Sequence, residues 1–344
     1  MKKRNRAVDF FRFLFCCIVF ILHFRDYGSF ESENGQFHGG YLAVEFFFIV
    51  SGFLMMKKAE ACMPKKGEEG KQAFLFLVER YKKLYPYYFL SIILCIVSKK
   101  LTDASFSIKT AILKGFPDIF AVQIFWRPYS INTHFWFVSG LLWASFLVYY
   151  LVIKNKDTFV YIIEPISLFL FIGLLYRHFK HLDLTGENVL WISGIRAFVE
   201  IGLGCFLYSF FKELDKIIGN QTPFFWTVLE IGLLSIILII MYRTRRDYKD
   251  FIMIFLVGAF VLLCFLEKGY LTRALDNKIS AFLGSLSYLM YLNQATVTNC
   301  AKLYLPHYEF WLAAVVRIVL LAVFSWLELR TIRAIRNLLK MQKS

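Results

Sequence analysis

The sequence predicts an all-α membrane protein, a polytopic bundle of about ten transmembrane helices. Three observations predict it. Hydrophobic residues make up 58% of the chain and charged residues only 19%, against roughly 45–50% and about 25% in soluble domains. Phe alone accounts for 39 of the 344 residues. The apolar residues also fall into blocks of about 17–22, with one of about 15, nearly all long enough for a helix to cross roughly 30 Å of hydrocarbon.

The first expected span, 7–25, follows the basic start Met1-Lys-Lys-Arg-Asn-Arg. It holds Arg12 and ends without a small-x-small cleavage site, so it reads as a retained helix and not a secretory signal. The further spans are 40–56, 84–98, 135–153, 158–176, 189–210, 223–242, 251–267, 280–300 and 309–329. Residues 101–126 are interrupted by Lys109, Lys114, Pro117 and Asp118. They read as a re-entrant or interfacial helix, with an eleventh span as the lesser option. The expected domain is 7–330, with 331–344 as a basic cytoplasmic tail.

Lys and Arg crowd the N-terminus, residues 57–83 and residues 330–344. Their excess on that side places both termini in the cytoplasm of a cell-membrane protein. Arg243-Thr-Arg-Arg246 is a local exception. The net charge of +15 is accounted for by this topology and the lipid surface, so nucleic acid is not an expected partner. Six of the seven cysteines lie in apolar runs and none forms a CxxC pair. They read as packing thiols. His178, His181 and His307 have no ligand spacing, and no metal site is expected.

A charged side chain at the centre of a bilayer costs at least about 2.5–3.5 kcal/mol, so each one that persists is a functional candidate. Arg12 and His23 are eleven residues apart. On a helix that returns to within about 20° of one face, roughly 16.5 Å along the axis. The alternative is a snorkelling Arg12 and an interfacial His23. Glu45 lies at a depth comparable to His23 and needs a partner. That partner is His23, whose tautomer it would fix, or Arg25 or Arg196 in a structural pair. Ser51-Gly52 reads as a close-packing step between helices. Arg80 and Lys83 share a helical face at the mouth of the third span. They suit a phosphate clamp, or an ordinary positive flank. Arg196 and Glu200, four apart, pair on one face. Arg317 and Glu328 read as structural or snorkelling. His134 and Trp136 open the fourth span, and His38 is a second candidate base.

Together these segments resemble the membrane-bound acyltransferase family 3, which includes bacterial sugar and polysaccharide O-acetyltransferases. Arg12 and His23 are similar to its first-helix Arg-x10-His motif. Glu45-Phe-Phe-Phe with Ser51-Gly52-Phe53 resembles its acidic-FF-x-x-SG-aromatic signature. Arg80-x-x-Lys83-Leu-x-Pro86 resembles its Arg-x-x-Arg-hydrophobic-x-Pro motif, with Lys at the second basic place. Phe135-Trp136-Phe137-Val138, the Arg196 to Gly204 segment and Leu286-Ser-Tyr-Leu-Met-Tyr-Leu292 are similar to later family segments. Two positions depart from the pattern. Asn293 stands where many members have His, and Ser139-Gly140 follow where many have Glu. Some members append an SGNH-type domain. This sequence stops at Ser344, and the expectation is action without one or with a separate partner.

The resemblance implies acyl transfer from cytoplasmic acetyl-CoA to a hydroxyl of a glycan or lipid-linked sugar. Arg80, Lys83 and Arg12 would hold the donor. His23 would be general base or acyl carrier, with Glu45 orienting it. Arg196 or Arg12 would stabilise the oxyanion, with Glu200, Trp136 and His134 near the acceptor. A sugar transporter or flippase is the rival reading. It would call for inverted repeats and broken helices, and neither is clear in the sequence.

Overall fold

A computed structural model describes residues 4–26, 37–126, 129–183, 190–218, 222–304 and 310–341. These residues form helices and connections, with no strand among them. In order, the helices are α1 (Arg6–Asp26), a 3-10 turn (His38–Ala43), α2 (Val44–Ala61), α3 (Glu69–Thr102), α4 (Ile108–Lys114) and α5 (Phe116–Ile119). After a second 3-10 turn (Thr133–Phe135) come α6 (Trp136–Lys154), α7 (Lys156–Thr158), a π turn (Phe159–Ile163) and α8 (Glu164–His178). The chain continues with α9 (Leu190–Ile217), α10 (Pro223–Arg243), α11 (Asp250–Leu266), α12 (Tyr270–Leu275), α13 (Lys278–Tyr304) and α14 (Phe310–Met341).

A long helix covers each of the ten expected spans. Seven, on α2, α3, α6, the α7–α8 run, α9, α10 and α14, are long and apolar enough by themselves to cross a membrane. The other three are the 17-residue α11 and the two helices that carry much of the site, α1 and α13. Helices enclosed by protein can hold polar groups that lipid would reject, because neighbouring helices satisfy them. The chain is a multi-pass helical membrane protein, and the exposed faces of α8, α10 and α14 carry large apolar side chains such as Phe169, Phe224 and Val319.

Three boundaries differ from expectation. α3 begins at Glu69 and runs 34 residues, so the basic flank at 80–83 belongs to one continuous rod. α14 runs on to Met341; the basic tail is its last turns. Residues 101–126 contain only short helices, of which the seven-residue α4 reaches about 10 Å. That is too short to span, so no eleventh span forms there. The segment packs on α3 and α6 through Tyr85 Oη to Ile119 O (3.0 Å), Tyr88 Oη to Asp118 O (2.5 Å) and Trp143 Nε1 to Ala121 O (2.9 Å).

Two helix pairs place the functional groups. α2 and α9 touch backbone to backbone. A Cβ on Gly52 would overlap the Ile201 carbonyl oxygen, and one on Gly204 the Ile49 carbonyl oxygen. Glycine is required at both by proximity alone. α1 and α13 form the second pair, in parallel. Asp9 lies against Gly284, Cys16 donates to Ser287 O (3.3 Å), and His23 meets Gln294. Residues 9, 16 and 23 recur every seven positions, the spacing of a left-handed helix seam.

Candidate active site

His23 sits near the C-terminal end of α1, half-buried. Its Nδ1 is 2.7 Å from Gln294 Oε1. An amide oxygen can only accept, so Nδ1 carries the proton and the neutral ring keeps its lone pair on Nε2. Gln294 Nε2 points to Cys16 Sγ at 4.0 Å. His134 stacks on the His23 ring with centroids 3.7 Å apart and planes 23° apart. His134 is held in turn. Asn132 Oδ1 accepts from its backbone N (3.0 Å), and Tyr291 Oη donates to its carbonyl oxygen (3.0 Å).

Tyr291 has a second neighbour. It lines the inner wall of a cavity of about 820 Å³ at the end of the bundle where α1 begins and the last turns of α14 lie. Arg4, Arg12, Lys58, Arg80, Lys83, Arg333 and Arg336 line this cavity, against one carboxylate, Glu79. Asp9 pairs with both Arg4 (2.5 Å) and Arg12 (3.4 Å). Lys58 pairs with Glu79 (2.7 Å). Arg80 Nη2 donates to Ser51 Oγ (2.6 Å) and its guanidinium lies 5.7 Å from the Phe76 ring centre. On α13, Tyr288 and Tyr291 line the cavity while Gln294 meets His23. The three are spaced i, i+3, i+6, so one side of a helix leads from the basic cavity to the imidazole pair.

A third group is closed. Arg196 is fully buried and donates Nε to Glu200 Oε1 (2.9 Å), Nη1 to Leu182 O (3.0 Å), and Nη2 to Glu45 Oε1 (2.6 Å) and Tyr41 O (3.4 Å). Trp136 lies beneath the guanidinium at 6.0 Å. Asp250 extends the group, accepting from Tyr41 Oη (2.6 Å) and Leu182 N (2.9 Å).

A family model described as an acyltransferase domain matches residues 5–327. The chain belongs to acyltransferase family 3. No curated protein and no solved structure matches it.

The transporter reading gives way to an enzyme: the protein is a membrane acyltransferase. Within this acyltransferase the expected site residues divide into three sets. Arg12, Arg80 and Lys83 meet at the basic cavity. His23 and His134 meet each other. Glu45, Arg196, Glu200 and Trp136 form the closed group.

Two expected relationships are corrected. Glu45 does not orient His23. Its Oε1 takes Arg196, and Oε2 has no hydrogen-bond partner among the described residues. The close α2–α9 contact brings Arg196 to it, and Gln294 stands where Glu45 was expected. Nor is Arg196 disposed towards an oxyanion, because four of its five N–H groups already point at protein oxygens. Ser51 also differs. It holds Arg80, while of the Ser51-Gly52 pair Gly52 makes the close packing, against α9. His38 opens the 3-10 turn before α2, and Gly40 of that turn rests on Ile18 and Leu22 of α1.

Sequence reasoning gave no role to Gln294, Asp9, Arg333 or Arg336, and quoted Tyr291 only as part of the Leu286–Leu292 segment. Asp9 was legible at i, i+3 from Arg12. Gln294 was overshadowed by Asn293. That residue faces α14 instead and donates to Glu328 Oε2 (2.5 Å).

Proposed function

We propose that this acyltransferase moves a short acyl group, acetyl above all, from cytoplasmic acyl-CoA to a hydroxyl of a cell-surface glycan or lipid-linked sugar. The observation that carries the reading is Tyr291, which is at once the inner wall of the basic cavity and the support of the His23–His134 stack. The Lys/Arg excess at the termini supports a cytoplasmic cavity mouth and cell-membrane location. Phosphates of the donor would meet Arg80, Lys83 and Arg12 through charge-assisted hydrogen bonds. The thin pantetheine arm would follow α13 past Tyr288 and Tyr291 and present its thioester to His23.

There, Nε2 of His23 would take the proton of the acceptor hydroxyl as its oxygen attacks the thioester carbonyl carbon. Collapse of the tetrahedral adduct breaks the C–S bond. The imidazolium then returns its proton to the departing CoA thiolate, leaving an ester and free CoA. The His134 ring, face to face with His23, fixes the plane of that imidazole. Glu45, Arg196, Glu200 and Trp136 hold α2, α6 and α9 in place around this path.

The test is transfer of labelled acetyl from acetyl-CoA to surface glycan in membranes bearing the protein, followed by glycan analysis of a deletion strain. Loss of the ester in the deletion strain, restored by the wild type and not by His23→Ala, is expected. Unchanged glycan acylation in the deletion strain would overturn the acceptor class.

A further inference from the structure

The last turns of α14 read, in sequence, as a basic cytoplasmic tail. In the fold, Leu329, Arg333 and Arg336 stand at i, i+4 and i+7 on one face and line the basic cavity. Arg336 lies over the ring of Tyr87 on α3, 5.2 Å from its centre, and Tyr87 lines the same cavity. The charges there are not balanced by protein. Glu79, the one carboxylate of the lining, is taken by Lys58. Lys83, Arg333 and Arg336 have no carboxylate within ion-pair distance among the described residues. A cavity built this way selects a ligand with several negative charges and a flat, polarisable group for the Tyr87–Arg336 platform.

Resting on the acyl-CoA reading above, we infer that the C-terminal helix supplies a donor subsite, with Arg333, Arg336 and Tyr87 gripping the phosphoadenosine end of acyl-CoA. That end carries a phosphate monoester and a diphosphate, about four negative charges at neutral pH, and a purine. Arg80 and Lys83 approach from α3, and Arg333 and Arg336 from α14, so the nucleotide is held between two helices. The helix that closes the chain is therefore part of the substrate site and not only a membrane anchor. An anionic lipid headgroup offers the same phosphate chemistry without the purine.

The experiment uses the full-length protein in nanodiscs and measures binding of CoA and of adenosine 3′,5′-bisphosphate, which lacks the pantetheine arm. In zwitterionic nanodiscs the wild type is expected to bind both. Arg333→Gln/Arg336→Gln is expected to weaken both by about tenfold or more, and Tyr87→Leu to weaken both less. Arg336→Lys, which keeps the charge, is expected to fall between the wild type and the double variant. A melting temperature within a few degrees of wild type identifies folded variants. Wild-type CoA binding that persists unchanged in the folded double variant overturns this inference and leaves the acyl-CoA reading standing. Failure of the wild type to bind CoA overturns both. A double variant that loses only its preference for phosphatidylglycerol nanodiscs assigns the arginines to lipid and overturns the subsite.

Discussion

Gln294 Oε1 lies 2.7 Å from His23 Nδ1, so the imidazole of α1 is oriented by an amide on α13. An amide fixes a tautomer without adding charge. A carboxylate there would stabilise the imidazolium and raise the pH at which the neutral base appears. Gln294→Glu is therefore expected to shift the acidic limb of the pH–rate profile upward, and Gln294→Ala to lower kcat by about 10–100-fold. Profiles of kcat against pH for the three proteins are the measurement. A profile in Gln294→Glu that superimposes on wild type sinks the positioning role.

His23→Ala is expected to lower acetyl transfer by about 10²–10⁴-fold with normal insertion in the membrane. A single-turnover assay with labelled acetyl-CoA and no acceptor separates the two chemical routes. Direct transfer leaves no label on protein, whereas a stable acetyl group retained on His23 would establish a covalent carrier.

Arg80→Ala is expected to act mainly on KM for acetyl-CoA, because the lost guanidinium faces the basic cavity and not the imidazole pair. Ser51→Ala removes the oxygen that accepts from Arg80 and is expected to raise the same KM by a smaller factor. Steady-state kinetics with acetyl-CoA varied would show it. An unchanged KM in Arg80→Ala removes that residue from the donor site.

Glu45→Ala leaves Arg196 buried with one carboxylate fewer. Breaking a buried ion pair costs about 3–5 kcal/mol, so the expected phenotype is a lower melting temperature and poor yield. The folded fraction is expected to keep a nearly normal KM and pH profile. A fully stable Glu45→Ala protein that is inactive would return this carboxylate to the chemistry.

Gly52→Ala and Gly204→Ala each place a methyl group on a backbone carbonyl oxygen of the facing helix. Overpacking of this kind costs about 1–3 kcal/mol or more. Both variants are expected to melt earlier, and the pair together by less than the sum, because the two glycines share one α2–α9 contact. Thermal unfolding in detergent measures it, and additive shifts would show that the sites are independent.

Much of the site was legible in the residues. Arg12, His23, Glu45, Arg196 and Glu200 stand out because hydrocarbon makes an ionisable side chain costly wherever it occurs, and Arg80 because it shares a helical face with Lys83. Their pairings were less legible. Glu45 was read as a partner of His23, with Arg25 or Arg196 as the alternative, and spacing along one helix says nothing of which other helix comes near. Gln294 and Tyr291 carry no charge, so nothing in hydropathy distinguishes them from ordinary neighbours. Arg333 and Arg336 resembled any basic end, since an arginine beyond a span has the same pattern whether it meets lipid, water or substrate.

By itself, the sequence determined a helical membrane protein with ten apolar segments, a charge bias between its two sides, and a short set of polar residues that had to be used. Length, hydropathy and the cost of burying charge are properties of single segments, so they survive without any knowledge of neighbours. The tertiary structure alone decided which polar groups meet. The glycine contact of α2 with α9 closed Glu45 onto Arg196, and the seven-residue seam of α1 with α13 brought His23 to Gln294. Those contacts join residues far apart in the chain. They depend on helix rotation and approach, which no pattern within one helix specifies.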